Sequence, residues 1–174
     1  YPTNTADGTK KWEFLTEGNV DSSPTLSSDG ATVFVGSFDY KLYAVNTADG
    51  TKKWEFLTGS SVRSSPALSS DGATVFVGSD DNKLYAINTA DGTKKWEFFT
   101  GGFVHSSPVL SSDGTTVFVG SYDKKLYAIN VADGTKKLEF LTGDIVLSSP
   151  AFFEYSEPEP ISYPKSEIVL AGSY

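Results

Sequence analysis

One unit of 42 residues is repeated four times along the 174-residue chain, almost letter for letter. Asn4, Asn46, Asn88 and Asn130 mark it, since each opens the text NTADGTKKWEF, which reads NVADGTKKLEF in the last copy. The stretches SSP, SSDG, TVFVGS and KLYA follow in the same order, and the last copy diverges most. Copies this similar share one local structure, so the sequence predicts an array of equal units in a single domain spanning residues 1–174.

Each unit contains four strand-like runs separated by turn residues. In the copy that follows Asn4 these runs are Ser22–Ser27, Thr32–Ser37, Lys41–Asn46 and Lys52–Thr58. They are rich in β-branched and aromatic residues, and Asp-Gly supplies the tight reversal of a hairpin. Turn signals recur every ~8 to 12 residues, which leaves no room for a helical period. The predicted fold class is therefore all-β, built from four-stranded antiparallel units.

A lone four-stranded sheet cannot bury both of its faces, so such units stack as a linear solenoid or as the radial blades of a β-propeller. A solenoid would need polar caps. We expect a propeller, with the N-terminal strand Lys10–Thr16 closing the ring by joining Ser148–Phe153 and Glu167–Ser173 in the last blade. The four predicted blades are residues 17–58, 59–100, 101–142, and 143–174 together with 1–16.

Two segments carry a family resemblance: Ala44 to Trp54, AVNTADGTKKW, and Ala86 to Trp96, AINTADGTKKW. They resemble the tryptophan-docking motif of pyrroloquinoline-quinone-like (PQQ-like) propeller repeats, and the SSP, VFVGS and KLYA text is similar to that repeat as well. The resemblance implies that the Ser-Ser-Pro run lies nearest the axis and the Trp strand outermost. It also implies that the tryptophans and glycines of the motif dock one blade on the next: Trp12, Trp54, Trp96, Gly8, Gly50 and Gly92. Leu138 stands where a fourth Trp would be.

The same resemblance bears on assembly and location. PQQ-like rings usually have seven or eight blades, so two chains could join head to tail into an eight-bladed ring. We expect a four-bladed monomer in preference to that homodimer. Proteins with these repeats are often exported, which implies an extracytoplasmic location, periplasmic or secreted.

Composition removes several function classes. The chain has no Cys and a single His, so thiolate chemistry and multi-histidine metal sites are excluded within one chain. Its formal charge of −8 disfavours nucleic acid and anionic membrane surfaces, which bind Lys- and Arg-rich faces. No apolar run approaches the ~20 residues of a membrane span. A protein or a small ligand remains as the partner.

Catalysis is not expected from this sequence. PQQ-like repeats occur in quinoprotein dehydrogenases, whose cofactor cavity, Ca²⁺ ligands and catalytic carboxylate are not recognisable here. The Asp-Gly turns lack the oxygen ligands of a calcium loop, and the Ser-Ser pairs recur in every copy, which favours a structural role for both. We expect a non-catalytic binding or scaffolding propeller without cofactor or metal. The alternatives are a fragment of a quinoprotein-like dehydrogenase and an architectural segment of a larger surface protein.

Function in a repeated scaffold is sought where the copies differ. The residue before each Ser-Ser-Pro reads Asp21, Arg63, His105 and Leu147, and the loops around it vary too. We predict that these four residues line one mouth of the central channel and form a binding surface, with neutral loop drift as the alternative. The second divergent region is Glu154–Ser166, which is predicted to be either a partner-recognition loop or slack near the ring seam.

Overall fold

The computed structural model describes residues 7–154 and 167–170, and of residues 152–154 and 167–170 it describes the backbone alone. These residues contain strands and turns and no helix, which confirms the all-β prediction. The strands are β1 (Thr25–Leu26), β2 (Thr32–Gly36), β3 (Lys41–Asn46), β4 (Lys52–Leu57), β5 (Ala67–Leu68), β6 (Thr74–Ser79), β7 (Lys83–Asn88), β8 (Lys94–Phe99), β9 (Val109–Leu110), β10 (Thr116–Ser121), β11 (Lys125–Asn130), β12 (Lys136–Leu141), β13 (Ala151–Glu154) and β14 (Glu167–Leu170).

Three equal antiparallel sheets follow one another along the chain. Their strand orders are β1-β2-β3-β4, β5-β6-β7-β8 and β9-β10-β11-β12, so each is a simple meander. The outermost strand of each carries a register shift at the same place, next to Ala44, Ala86 and Ala128. We call these sheets the first, second and third blades. The first strand is shorter than predicted, because pairing in the run Ser22–Ser27 covers only Thr25 and Leu26.

The Ser-Ser-Pro turns bind consecutive blades together at their inner ends. The backbone N–H of Ser23 donates to Ser65 Oγ at 2.9 Å, that of Ser65 to Ser107 Oγ at 3.0 Å, and that of Ser107 to Ser149 Oγ at 3.2 Å. The first serine of the pair forms a hydrogen bond within its own blade: Ser22 Oγ accepts from the N–H of Gly36 at 3.1 Å. The inner strands therefore lie closest to one another, which places them nearest the common axis.

The core lies between blades. Phe34, Leu42 and Ala44 on the back face of the first blade pack against the front face of the second, which presents Val75, Val77 and Ile87. The pattern repeats one blade later, where the back of the second blade meets the front of the third. Each blade therefore has a front face that receives the preceding blade and a back face that covers the next.

The tryptophans lie at the outer end of these interfaces. Trp54 Nε1 donates to Thr89 O at 2.9 Å and Trp96 Nε1 to Val131 O at 2.9 Å, in each case across to the next blade. The indole rests on a glycine with φ of +76°, and a Cβ on Gly92 would lie only 2.8 Å from Trp54 Cδ2. Glycine is thus required twice at this turn, for its backbone conformation and for the close approach of the ring.

The segment 7–16 docks on the first blade in the position of a preceding blade's outer strand. Trp12 Nε1 donates to Thr47 O at 2.8 Å and the Trp12 ring covers Gly50, so this segment lies on the front of the first blade. Residues 11–16 belong to no strand, and β13 and β14 form a sheet of two strands among the residues described. The predicted closure by Lys10–Thr16, and with it a complete fourth blade, stays a prediction. Of the divergent segment Glu154–Ser166, residues 155–166 lie outside the described part of the chain.

Leu138 and Trp96 differ in burial although they share a repeat position. Trp96 is 9 % exposed and Leu138 is 56 % exposed. Trp96→Ala is expected to lower the free energy of unfolding by about 3 to 5 kcal/mol, because it empties a packed interface. Leu138→Ala is the matched control and should cost less than about 1 kcal/mol. Urea denaturation followed by Trp fluorescence and far-UV circular dichroism measures both, and equal losses would contradict the docking role of Trp96.

The last residue of the β2–β3 turn, and of the equivalent turn in the other two blades, has a left-handed backbone conformation. Tyr40, Asn82 and Lys124 have φ of 72°, 70° and 68°. Asn tolerates this conformation better than Lys or Tyr. Lys124→Asn should therefore raise the free energy of unfolding by about 0.5 to 1 kcal/mol, and Asn82→Lys should lower it by about as much. Thermal melts of both variants test the strain, and shifts in the same direction would refute it.

Candidate functional site

The residues before Ser-Ser-Pro sit on a loop that crosses from one blade to the next. The N–H of Val62 donates to Ser37 O at 3.0 Å, and the N–H of Asp80 donates to Ser61 O at 2.9 Å, so this loop is bonded to both blades. Val62, Val104 and Val146 are fully buried over a glycine near the end of each second strand: Gly36, Gly78 and Gly120. The residue after each of these valines keeps some exposed surface: Arg63, His105 and Leu147.

Aspartates of the β2–β3 turns make the loop rigid. Asp81 Oδ2 accepts from the N–H of Gly59 at 2.7 Å and from the Tyr85 hydroxyl at 2.6 Å. Burial, and next the hydrogen bond to this carboxylate, raise the pKa of Tyr85. Asp39 and Asp123 make the equivalent contacts. These aspartates are thus more than turn residues, because they also fix the start of the variable loop.

Arg63 makes contacts with two blades. Its Nε donates to Asp80 Oδ2 at 3.0 Å, and its Nη1 lies 3.9 Å from Asp21 Oδ2. The guanidinium also lies over the Phe38 ring, with Cζ 4.2 Å from the ring centroid. Two of the four predicted residues, Asp21 and Arg63, are thus brought together, with the charge of the arginine held between two carboxylates.

His105 reaches the same carboxylate from the other side. Its Nε2 lies 2.7 Å from Asp80 Oδ1, although without the alignment of a hydrogen bond. The ring lies against Tyr122 with centroids 4.5 Å apart and is nearly parallel to the Phe103 ring at 5.9 Å. Burial lowers the pKa of His105, and the nearby Arg63 lowers it further, while the attraction of Asp80 acts in the opposite direction. The imidazole is therefore held towards its neutral form.

Asp80 joins the predicted residues, and sequence reasoning missed it. It stands in a second column that differs between copies at the same spacing, reading Phe38, Asp80 and Tyr122. Comparing all columns of the repeat, rather than the loop alone, would have revealed it. We call Asp21, Arg63, Asp80 and His105 the inner-loop cluster. Leu147, half-buried one unit further along, adds neither a charge nor a ring to it.

The cluster brings together two carboxylates, one guanidinium and one imidazole beside the Phe103 ring. Within residues 7–151, whose side chains are described, no three His, Asp or Glu side chains come together as metal ligands. Arg63 is already neutralised by two carboxylates, whereas the Asp21 carboxylate and the Phe103 ring are exposed. This arrangement can take a cationic or aromatic group of a partner. No helix in the described chain is long and apolar enough to cross a membrane.

No curated protein sequence matches the chain. Among solved structures it is similar to BamB from Moraxella catarrhalis, at 20 % identity and a TM-score of 0.70 over 83 % of this chain and 44 % of that one. It is also similar to the WD40 repeats of RRP9, at 16 % identity and a TM-score of 0.71 over 78 % of this chain and 42 % of that one. U3-55K matches at 16 % identity and a TM-score of 0.71, over 78 % of this chain and 43 % of that one.

These structures confirm the propeller architecture of the sheets, and the chain spans less than half the length of each of them. The sequence of residues 1–144 matches the PQQ-like repeat family described as outer membrane protein assembly factor BamB. That match covers most of the chain and confirms the resemblance drawn from the docking motif. The chain belongs to this family of PQQ-like, BamB-type propellers.

Proposed function

We propose that the chain is a non-catalytic propeller that binds a protein partner through the inner-loop cluster and its surrounding loops. The observation that carries the proposal is the linkage of Arg63, Asp80 and His105 across neighbouring blades. These residues occupy repeat positions at which the copies differ, and the scaffold does not need them for its own repeated contacts. A specific interface requires chemically different side chains held in place by a rigid scaffold.

The partner segment is expected to be basic and aromatic. With His105 neutral, the cluster holds two carboxylates and one guanidinium, and the whole chain carries a formal charge of −8. A negative field attracts cationic segments and raises their association rate. The exposed Phe103 ring, stacked on His105, offers an apolar surface at the end of the row opposite Asp21. A Lys- or Arg-containing loop with an aromatic side chain matches both features.

The comparisons support a scaffolding role in general terms. The family is described as an assembly factor, and one similar structure consists of WD40 repeats. We further propose that the chain uses no cofactor and performs no reaction, since its repeated serines and aspartates are engaged in structural hydrogen bonds. An extracytoplasmic location is proposed from the family, whose description names the outer membrane.

Peptide display against the purified chain tests the proposed binding surface. Selected peptides are expected to be basic and aromatic, and Asp21→Lys should weaken them at least about tenfold, which corresponds to about 1.4 kcal/mol. Glu13→Lys is the matched control, since it makes the same charge change on an exposed residue of the outer segment. Isothermal titration calorimetry measures both. Equal weakening by the two variants, or none by Asp21→Lys, would overturn the proposal.

The cluster also predicts a pH dependence of stability. The pKa of His105 is lowered from 6.5 in the folded chain, so below that pH the unfolded chain binds more protons. The stability contributed by the neutral His105 is thus fully present above the pKa of the unfolded chain. It is lost as the pH falls through that value towards the lower pKa of the folded chain. Between about pH 7.5 and about pH 5.5 the wild type should lose more thermal stability than His105→Phe, which keeps the ring stacking.

One result of comparing the wild type with His105→Phe would contradict this prediction. If the wild type gains stability relative to His105→Phe on acidification, the attraction of Asp80 for the imidazolium exceeds the cost of its burial. The paired melts at the two pH values measure this difference directly, because changes elsewhere in the chain cancel between the two proteins.

A further inference from the structure

Two columns of the repeat that differ between copies interleave into one row. Arg63 lies over the Phe38 ring of the preceding blade and donates to Asp80 of its own blade. His105 lies between Asp80, one blade back, and the Tyr122 ring of its own blade. Loop and turn residues therefore alternate from blade to blade. We call the following six residues the variable row: Asp21, Phe38, Arg63, Asp80, His105 and Tyr122.

Backbone hydrogen bonds hold this row in register. The N–H of Tyr122 donates to Phe103 O of the same blade at 2.9 Å. The N–H of Val104, between Phe103 and His105, donates to Ser79 O of the preceding blade at 3.1 Å. The loop and the turn of the second blade are bonded in the same way. The row is thus formed before a partner arrives, and little conformational entropy of the loops is lost on binding.

Exposed groups stand at the two ends of the row, and its middle is recessed. At one end the Asp21 side chain is 59 % exposed, and at the other the Phe103 ring, stacked on His105, is 45 % exposed. Between them the side chains of Asp80 and His105 are 12 % and 19 % exposed. Arg63 is held by two carboxylates. A partner therefore meets an exposed carboxylate and an exposed ring that are separated by the recess.

The spacing of the blades sets the distance between these two anchors. The N–H of Ser23 donates to Ser65 Oγ at 2.9 Å, and that of Ser65 donates to Ser107 Oγ at 3.0 Å. Bonds this short place equivalent inner residues of adjacent blades about two residues of an extended chain apart, or ~6.6 Å. Asp21 and Phe103 lie on the first and third of these loops. Their separation therefore corresponds to about four residues of an extended chain, or ~13 Å.

We propose that the binding element of the partner is an extended segment that lies along the variable row. It places a Lys or Arg side chain on Asp21 and an aromatic side chain, four residues away, on Phe103. Every second side chain of an extended segment points to the same side, so both anchors and the residue midway between them face the row. The inference rests on the proposed binding function and specifies the form of its partner.

Three peptides of one composition, with blocked termini, test the spacing. In Arg-Pro-Ser-Pro-Trp and its reverse, Trp-Pro-Ser-Pro-Arg, the anchors are four residues apart and proline favours an extended backbone. In Pro-Ser-Pro-Arg-Trp the anchors are adjacent. All three carry the same charge and the same side chains, so general attraction to the acidic chain is equal. NMR titration is expected to show that one of the spaced peptides binds about tenfold more tightly than the adjacent one, because only it reaches both anchors.

Substitutions on the chain locate the two anchors. Asp21→Lys and Phe103→Ser should each remove the advantage of the spaced peptide over the adjacent one. Phe99→Ser is the matched control, since it removes an exposed phenylalanine from the outer strand β8, and it should leave the advantage unchanged. The three residues are all exposed, so none of these changes is expected to unfold the chain.

The outcomes separate this inference from the proposed function. Equal affinities of the three peptides, or an advantage that survives Phe103→Ser, would overturn the extended geometry. If the three bind equally and Asp21→Lys weakens them all, the proposed binding surface is supported and only the inference is wrong. If none binds, the inference is wrong as well, and the effect of Asp21→Lys on peptides selected by display decides the proposed function separately.

Discussion

The contact between the back face of one blade and the front face of the next is the interaction on which this structure depends. A four-stranded sheet of this composition has two apolar faces, and burying apolar surface is the main favourable contribution to folding. Phe34 and Leu42 on one side and Val75 and Val77 on the other have nearly no exposed surface once the blades meet. None of the three described blades has a closed core of its own, which is why the unit appears only in series.

The repeated polar residues set the geometry of that contact. Ser-Ser pairs link the inner ends of consecutive blades, and Trp-to-carbonyl hydrogen bonds link the outer ends. Asp81 joins a turn to the loop that leaves the preceding blade. These residues make the same hydrogen bonds in every well-preserved copy. Sequence differences between copies are therefore tolerated at only a few positions, on the anchored loop and on the turn beside it. Arg63, Asp80 and His105 occupy such positions and meet there.

Much of the fold could be predicted from the sequence because the same pattern of strand and turn residues occurs in every repeat. The strand bounds of β2, β3 and β4, the docking motif and the all-β class follow from alternation and turn residues that recur at one interval. Asp80 was missed since it directly precedes Asp81, and the pair looks like ordinary turn chemistry. The contact of Asp80 with His105 joins residues 25 positions apart and depends on how blades are set together. Whether the ring closes within one chain depends on the angle between blades, which no single repeat encodes.

The inner-loop cluster depends on the same contact between blades. Arg63 lies between Asp80 on its own blade and Asp21 one repeat earlier. His105, on the loop that leaves the second blade, approaches the same Asp80 carboxylate. The Arg63–Asp21 and Asp80–His105 pairs each join residues that only the docking of one blade on the next brings within reach. Loosening the blade interfaces would therefore separate the members of the cluster, so the stability of the scaffold and recognition at the cluster rest on one set of packed faces.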